Sequence, residues 1–157
     1  MRIRLMTTSD YEAVYALWMA CKGMGLNNLD DSPEGIARFL QRNPETCFVA
    51  ETDAAEDTDT GPQTPQIVGV ILAGHDGRRG YIYHTATHPE FRHRGIATAL
   101  VDATTAALKR QNINKVALVV FSKNDDGNRF WEALGFTERT DLTYRNLALT
   151  DITRIDT

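Results

Sequence analysis

The chain has 157 residues, of which 42% are apolar and 24% charged, with a formal net charge of −4; this describes one soluble globular domain, residues 1–157, large enough for a real core. The acidic balance argues against broad nucleic-acid binding, no apolar run is long enough to span a bilayer, and the start, MRIRLMTTSD, lacks a signal-peptide core. Two cysteines, Cys21 and Cys47, form neither a disulfide framework nor a metal-ligand set, so reduced thiols, no metal and a cytoplasmic location are expected.

Ile3 and Leu5 alternate with arginines and predict a short edge strand. Ser9 and Glu12 are spaced as a capping box, and Tyr11, Val14, Leu17, Trp18 and Cys21 follow helical steps. KGMGLNNLDD (Lys22–Asp31) reads as a loop, and Ser32-Pro33 starts a second helix with Ile36, Phe39 and Leu40 inward. This helix–loop–helix is expected to wall a substrate. Thr46–Glu51 reads as a strand. The acidic, proline-bearing stretch at 52–66 reads as a mobile strand connection, in preference to a tail for a basic partner.

Ile67–Ala73, nearly all apolar, predicts a central strand buried on both faces. Asp76-Gly77 supplies a hairpin turn to the strand Tyr81–Thr87. A helix starting near Gly95 carries Ile96, Leu100, Val101, Thr104 and Leu108 on one face, and Lys115–Phe121 reads as a further buried strand, parallel to Tyr81–Thr87. Asn124–Leu134 is a short helix stopped by Gly135. Phe136–Glu138 and Leu142–Leu149 predict a closing hairpin, and 150–157 a tail. The expected architecture is α+β: a mostly antiparallel twisted sheet of six to seven strands with about four helices and one parallel crossover.

The richest stretch is FRHRGIATALV, Phe91–Val101. A helix start leaves backbone N–H groups unpaired and partly positive, and glycine there permits close approach. With Arg92 and Arg94 alongside, the turn is suited to a phosphate or diphosphate; the plain alternative is a solvated turn with two surface arginines.

Two motifs then combine. One is Arg92-His93-Arg94-Gly95-Ile96-Ala97 after Pro89; the other is Asn124, Gly127 and Trp131 leading into Leu134-Gly135-Phe136. Together with the order of elements, from Arg2 to Leu149, they resemble the GNAT superfamily of acetyl-CoA-dependent N-acetyltransferases. The resemblance implies an acetyl-CoA cosubstrate with its diphosphate on the backbone amides of His93, Arg94, Gly95, Ile96, Ala97 and Thr98, beside Arg92. It implies a pantetheine arm along Ala86 and Thr87, where strands splay, with Asn124 and Trp131 on the far side. The Thr87 N–H would stabilise the oxyanion.

The resemblance also exposes a departure. Many members protonate the leaving thiolate with a tyrosine, and here that position is Trp131, whose indole is no useful acid. Tyr144, Ser122, water or the ammonium product could serve instead. A family glutamate that acts as base would fall at Tyr81, leaving His84, His88 or a water chain. On a regular strand Tyr81, Tyr83, Thr85 and Thr87 share one face, and His84, Ala86 and His88 the other. Asp30 and Asp31 could attract a cationic amine, or cap the second helix. The expected reaction is direct attack by a primary amine, on a small molecule or peptide, without an acyl-enzyme. An acyl-CoA-binding sensor without turnover is the alternative, and a phosphate-dependent module for another nucleotide a third reading. The acceptor's identity is open, as is a homodimer.

Overall fold

A computed structural model of the protein describes residues 1–53 and 65–155. Among them run β1 (Arg2–Leu5), α1 (Tyr11–Met19), β2 (Leu26–Asn27), α2 (Pro33–Arg42), β3 (Phe48–Glu51), β4 (Ile67–His75), β5 (Gly80–Thr87), α3 (Ile96–Arg110), β6 (Val116–Ala117), α4 (Asp125–Ala133) and β7 (Arg154–Ile155). The architecture is α+β. A five-stranded sheet is ordered β1-β3-β4-β5-β6, antiparallel except for the parallel β5–β6 pair, and β2 and β7 form a separate two-stranded ladder.

β4 is the axis of the sheet. Its continuous apolar run is buried on both faces, as expected of a strand covered by helices on either side. Val70 and Leu72 face α1 and α2, where they meet Val14, Trp18, Ile36 and Leu40. Ile71 and Ala73 face α3, where they meet Ile96, Leu100 and Val101. The hairpin into β5 forms at Asp76-Gly77, and Asp76 Oδ1 accepts the N–H groups of Arg78 and Arg79 at 2.8 and 2.7 Å.

Capping differs from the predicted register. The start of α1 is preceded by a short 3-10 turn, Thr8–Asp10, and the box is Thr7 with Asp10. Asp10 Oδ2 accepts both the Thr7 N–H and its hydroxyl, at 2.7 and 3.0 Å. Asp10 wins over Glu12 because Arg4 grips it in a two-pronged pair at 2.7 Å, a bond that Glu12, facing solvent, does not make. At α2 the Ser32-Pro33 signal holds, with Gly35 N–H donating to Ser32 Oγ at 3.0 Å.

Three expectations about the C-terminal half are corrected. The strand expected over Lys115–Phe121 is paired only at Val116–Ala117, and Val119 and Phe121 beyond it are exposed. The closing hairpin does not form: neither Phe136–Glu138 nor Leu142–Leu149 is strand. A two-residue β6 offers almost no ladder for a hairpin to extend. The tail is not free along its length, since Arg154–Ile155 pairs with Leu26–Asn27 and Asn28 N–H donates to the Thr153 carbonyl at 3.0 Å. The expected mobile connection lies for the most part outside the described residues; at its edges Thr52 N–H donates to the Gln66 carbonyl at 2.9 Å. No helix among the described residues is long and apolar enough to cross a membrane.

Candidate active site

A bulge in β5 sets the geometry of the site. Thr85 lies opposite Ile71, but Ile82 lies opposite Ala73, so Leu72 alone faces both Tyr83 and His84. Regular alternation would place Ile82 and Ala86 on one face. Instead Ile82 packs on the α3 side and Ala86 on the α1 side. The face assignment from spacing is therefore corrected for Tyr83, which meets Phe39 of α2 with ring centroids 5.5 Å apart, on the same α1–α2 side as His84. The His84 ring meets Trp18 of α1 at 5.2 Å, and His84 and Ala86 share that side as expected.

Backbone polarity follows from the same ladder. His88 N–H donates to the Val68 carbonyl at 2.8 Å. Bonded and non-bonded pairs alternate along antiparallel strands, so Ala86–Val70 is a bonded pair, while Thr87–Gly69 and Thr85–Ile71 are not. The N–H and C=O groups of Thr85 and Thr87 thus point away from β4. On that side β6 has already ended opposite Tyr81, so they face a gap. The Thr87 carbonyl accepts from Cys21 Sγ at 3.6 Å.

The gap widens into a groove of about 920 Å³ between β5 with the start of α3 on one side and residues 118–121 with α4 on the other. Ala86, Thr87, Arg92, His93, Gly95, Ile96, Ala97, Thr98, Asn124 and Trp131 all line it, as does His84. Gly95 caps α3 with φ +76°, and a Cβ there would meet no atom within 4 Å; it would project into open space at the helix start. His93, at φ 60°, is a second left-handed residue in the turn. The first turn of α3 holds no acidic side chain, and its first backbone bond runs from Ala99 N–H to the Gly95 carbonyl at 3.0 Å. Asn124 caps α4, its side-chain oxygen accepting from Gly127 N–H at 3.0 Å. The Thr85 and Thr87 hydroxyls are buried without a hydrogen-bond partner. Orphaned donors along the groove, together with an open helix start, fit a ligand that has a polar arm and an anionic group.

Several expected residues lie elsewhere. The Arg94 guanidinium stacks over the Phe91 ring at 4.9 Å, and Ser122 and Tyr144 are exposed and outside the groove lining. Trp131 is chiefly an aromatic packing residue, between Phe130 and Phe136 with ring centroids 5.0 Å away in each case. Neither Asp30 nor Asp31 caps α2, since Ser32 does. Asp30 is exposed and accepts from the Asn27 side chain at 3.0 Å. Asp31 is not at the mouth either: it is buried, and its Oδ1 lies 2.7 Å from His84 Nε2.

Sequence reasoning missed Cys21 and Tyr83. Cys21 sits where α1 ends against Thr87, and burial pushes its thiol above the ordinary range, with the neighbouring Arg92 guanidinium offsetting this in part. Tyr83 lines the groove, and partial burial, with Asp30 and Tyr144 nearby, holds its hydroxyl above the usual tyrosine range. Periodicity put Cys21 on the inward face of the first helix but not beside Thr87; it lies just past the end of α1. Nothing in the strand sequence signals the bulge that turns Tyr83. Among the described residues no cluster of His, Cys, Asp or Glu could hold a metal ion.

Comparison with known proteins agrees with this geometry. The chain is 34% identical over 136 residues to an acetyltransferase of Pectobacterium atrosepticum, covering 87% of each protein. It is 35% identical over 140 residues to an acetyltransferase of Photorhabdus laumondii, covering 88% of each. Among solved structures, Ard1 from Thermoplasma volcanium superposes with a TM-score of 0.67 at 23% identity, over 85% of this chain and 80% of that one. AAC(6')-Iy in complex with a bisubstrate analogue, CoA-S-monomethyl-acetylneamine, does so with a TM-score of 0.67 at 20% identity, over 94% and 98%. The Acetyltransferase (GNAT) family profile matches residues 11–136. With more than half its length matched by that profile and the same fold in its structural neighbours, the chain belongs to the GNAT family of acetyltransferases.

Proposed function

We propose that the protein moves acetyl from acetyl-CoA to a primary amine on a small molecule or peptide, by direct attack of the amine on the thioester. The observation that carries this reading is that the Thr85 and Thr87 N–H groups point away from β4 into the gap, along an edge that leads to the open start of α3 at Gly95. A pantetheine arm laid against that edge puts the diphosphate on the amides of Ile96, Ala97 and Thr98, with Arg92 beside it and Asn124 and Trp131 opposite. The Thr87 N–H, aimed into the gap, then donates to the developing oxyanion.

Direct attack is favoured over a covalent route because both thiols are held protonated. Burial pushes Cys47, which is not part of the groove lining, up to about 11 and raises Cys21 as well. The departing thiolate is a modest base, so the ammonium-like adduct can supply its proton, and a tyrosine at position 131 is not required. Coenzyme A bound to the NatC complex with a Gag peptide, and to a PaiA N-acetyltransferase from Thermoplasma acidophilum, lends support by analogy of fold.

The test is turnover of acetyl-CoA by the purified protein across a panel of polyamines, amino acids, aminoglycosides and peptide N-termini, reading free thiol and acetylated product together. Product with at least one amine is expected. CoA binding by calorimetry with no product from any amine would move the assignment to a sensor, the reading that Trp131 in place of tyrosine favours.

A further inference from the structure

We propose that His84 and Asp31 form a proton-accepting pair for that reaction, in which His84 Nδ1 takes the proton of the incoming ammonium and Asp31 holds the ring. This rests on the acetyl-transfer reading above. Asp31 is only 3% exposed, yet both of its oxygens are bonded, Oδ2 to the Asn27 N–H at 2.7 Å and Oδ1 to His84 Nε2 at 2.7 Å. An ionised carboxylate only accepts, so in the neutral ring Nε2 carries the hydrogen and the lone pair is left on Nδ1. The Trp18 ring edge at 5.2 Å fixes the plane of the imidazole, and the Tyr11 hydroxyl, donating to the Asp31 carbonyl at 2.9 Å, fixes the loop behind it.

Position agrees with the role. His84 sits with Ala86 on the α1–α2 side, where it lines the groove with 17% of its side chain exposed. The oxyanion donor, Thr87 N–H, lies three residues further along the same strand, about 10 Å at a strand's rise, within the span of an amine attacking a bound thioester. Besides Asp31, the titratable or charged groups at that end of the groove are Cys21, Lys22, Tyr83 and Arg92 on its lining, with Asp30 and Tyr144 near Tyr83. Asp30 is the one further carboxylate among these, exposed and accepting from the Asn27 side chain, and burial keeps Cys21 and Tyr83 protonated.

The step balances as follows. The ammonium gives one proton to Nδ1 and becomes a neutral amine, whose lone pair attacks the thioester carbon. The C–N bond forms, the C–S bond breaks, and the thiolate leaves with its electron pair. A second nitrogen proton passes to sulfur, and the imidazolium, held beside the Asp31 carboxylate, releases its own to solvent.

The test has two arms. In the free protein, side-chain nitrogen NMR is expected to find His84 as the Nε2–H tautomer, fixed in wild type and no longer fixed in Asp31→Asn. In turnover, His84→Gln is expected to lower kcat about 100-fold and flatten the acid limb of kcat/KM, with the dissociation constant for CoA within about twofold of wild type. Asp31→Asn should lower kcat about tenfold and Asp31→Glu recover part of it, again without loss of CoA binding. A neutral His84 ring with its hydrogen on Nδ1 in the free wild-type protein overturns the proposal without recourse to any variant. So does a folded His84→Gln enzyme with wild-type kcat and an unchanged acid limb. Wild type that binds CoA but acetylates no amine instead overturns the transfer reading on which the pair depends.

Discussion

Two regions beside the groove are built from different materials. The wall proposed for the coenzyme, from Thr85 through Thr98, presents main chain: strand edge, left-handed turn, helix start. The region proposed to meet the acceptor, from α1 through the loop to α2 behind His84 and Tyr83, presents side chains packed on one another: Trp18 on His84, His84 on Asp31, Phe39 on Tyr83. A main-chain wall tolerates exchange of side chains but not of conformation. A side-chain wall is sensitive at every contact, and it can be rebuilt to take a different amine without disturbing the first.

The largest effect should come from conformation on the coenzyme wall. Gly95→Val forces a β-branched residue to φ +76° and fills the cradle; CoA affinity measured by calorimetry should fall about 100-fold or more, roughly 3 kcal/mol. Thr98→Ala, on the same wall, should change it less than about threefold. Equal losses for the two would erase the distinction.

Next comes the bracket that seats α1. Burial raises the Asp10 carboxyl, but its bonds to Arg4 and to Thr7 outweigh this and leave it below the usual range. A depressed carboxyl contributes stability above its unfolded pKa, and that contribution disappears as pH falls through the folded value. The bracket therefore stabilises at neutral pH and is lost in acid, below about pH 4. Asp10→Ala should cost about 2 kcal/mol at pH 7, less than a fully enclosed pair because Arg4 is partly exposed, and the difference from wild type should shrink on acidification. A urea midpoint series against pH measures both.

A smaller and more local effect is expected at Gly35, where a Cβ would stand 2.3 Å from the Leu29 carbonyl oxygen. Gly35→Ala must push the loop bearing Asp30 and Asp31 off the first turn of α2. KM for the amine should rise several-fold while KM for acetyl-CoA holds, and a rise in both would mean that the walls are not independent. The smallest change is expected at Cys21, where the walls touch: Cys21→Ser should keep kcat within about fivefold. Complete loss of turnover with CoA binding intact would reinstate an acyl-enzyme.

This contrast also explains what could be read from the sequence. A left-handed turn into a helix needs glycine at one fixed place after a strand, so Arg92-His93-Arg94-Gly95 marked the start of α3, and Ser32-Pro33 marked that of α2. The pairing of Asp31 with His84 joins residues 53 apart, and the bulge that brings Tyr83 to the same side is marked by no Gly or Pro in YIYHTAT. Alternation sets His84 beside Ala86, as found, but misplaces Tyr83. KVALVVF has the composition of a full strand, but whether a strand is paired depends on its neighbour, and here β5 diverges after Tyr81. Asp30 and Asp31 look equivalent by composition; only the fold separates a solvated carboxylate from an enclosed one.

The β2–β7 ladder carries a consequence for biosynthesis. Thr153 meets Asn28 at a separation of 125 positions, and Arg154 and Ile155 hold Leu26 and Asn27. On the ribosome, the main-chain cradle can assemble once α4 has emerged, but the segment that orients Asp31 waits until residues 153–155 have followed. A nascent chain stalled after α4 should therefore capture coenzyme before it can choose an acceptor.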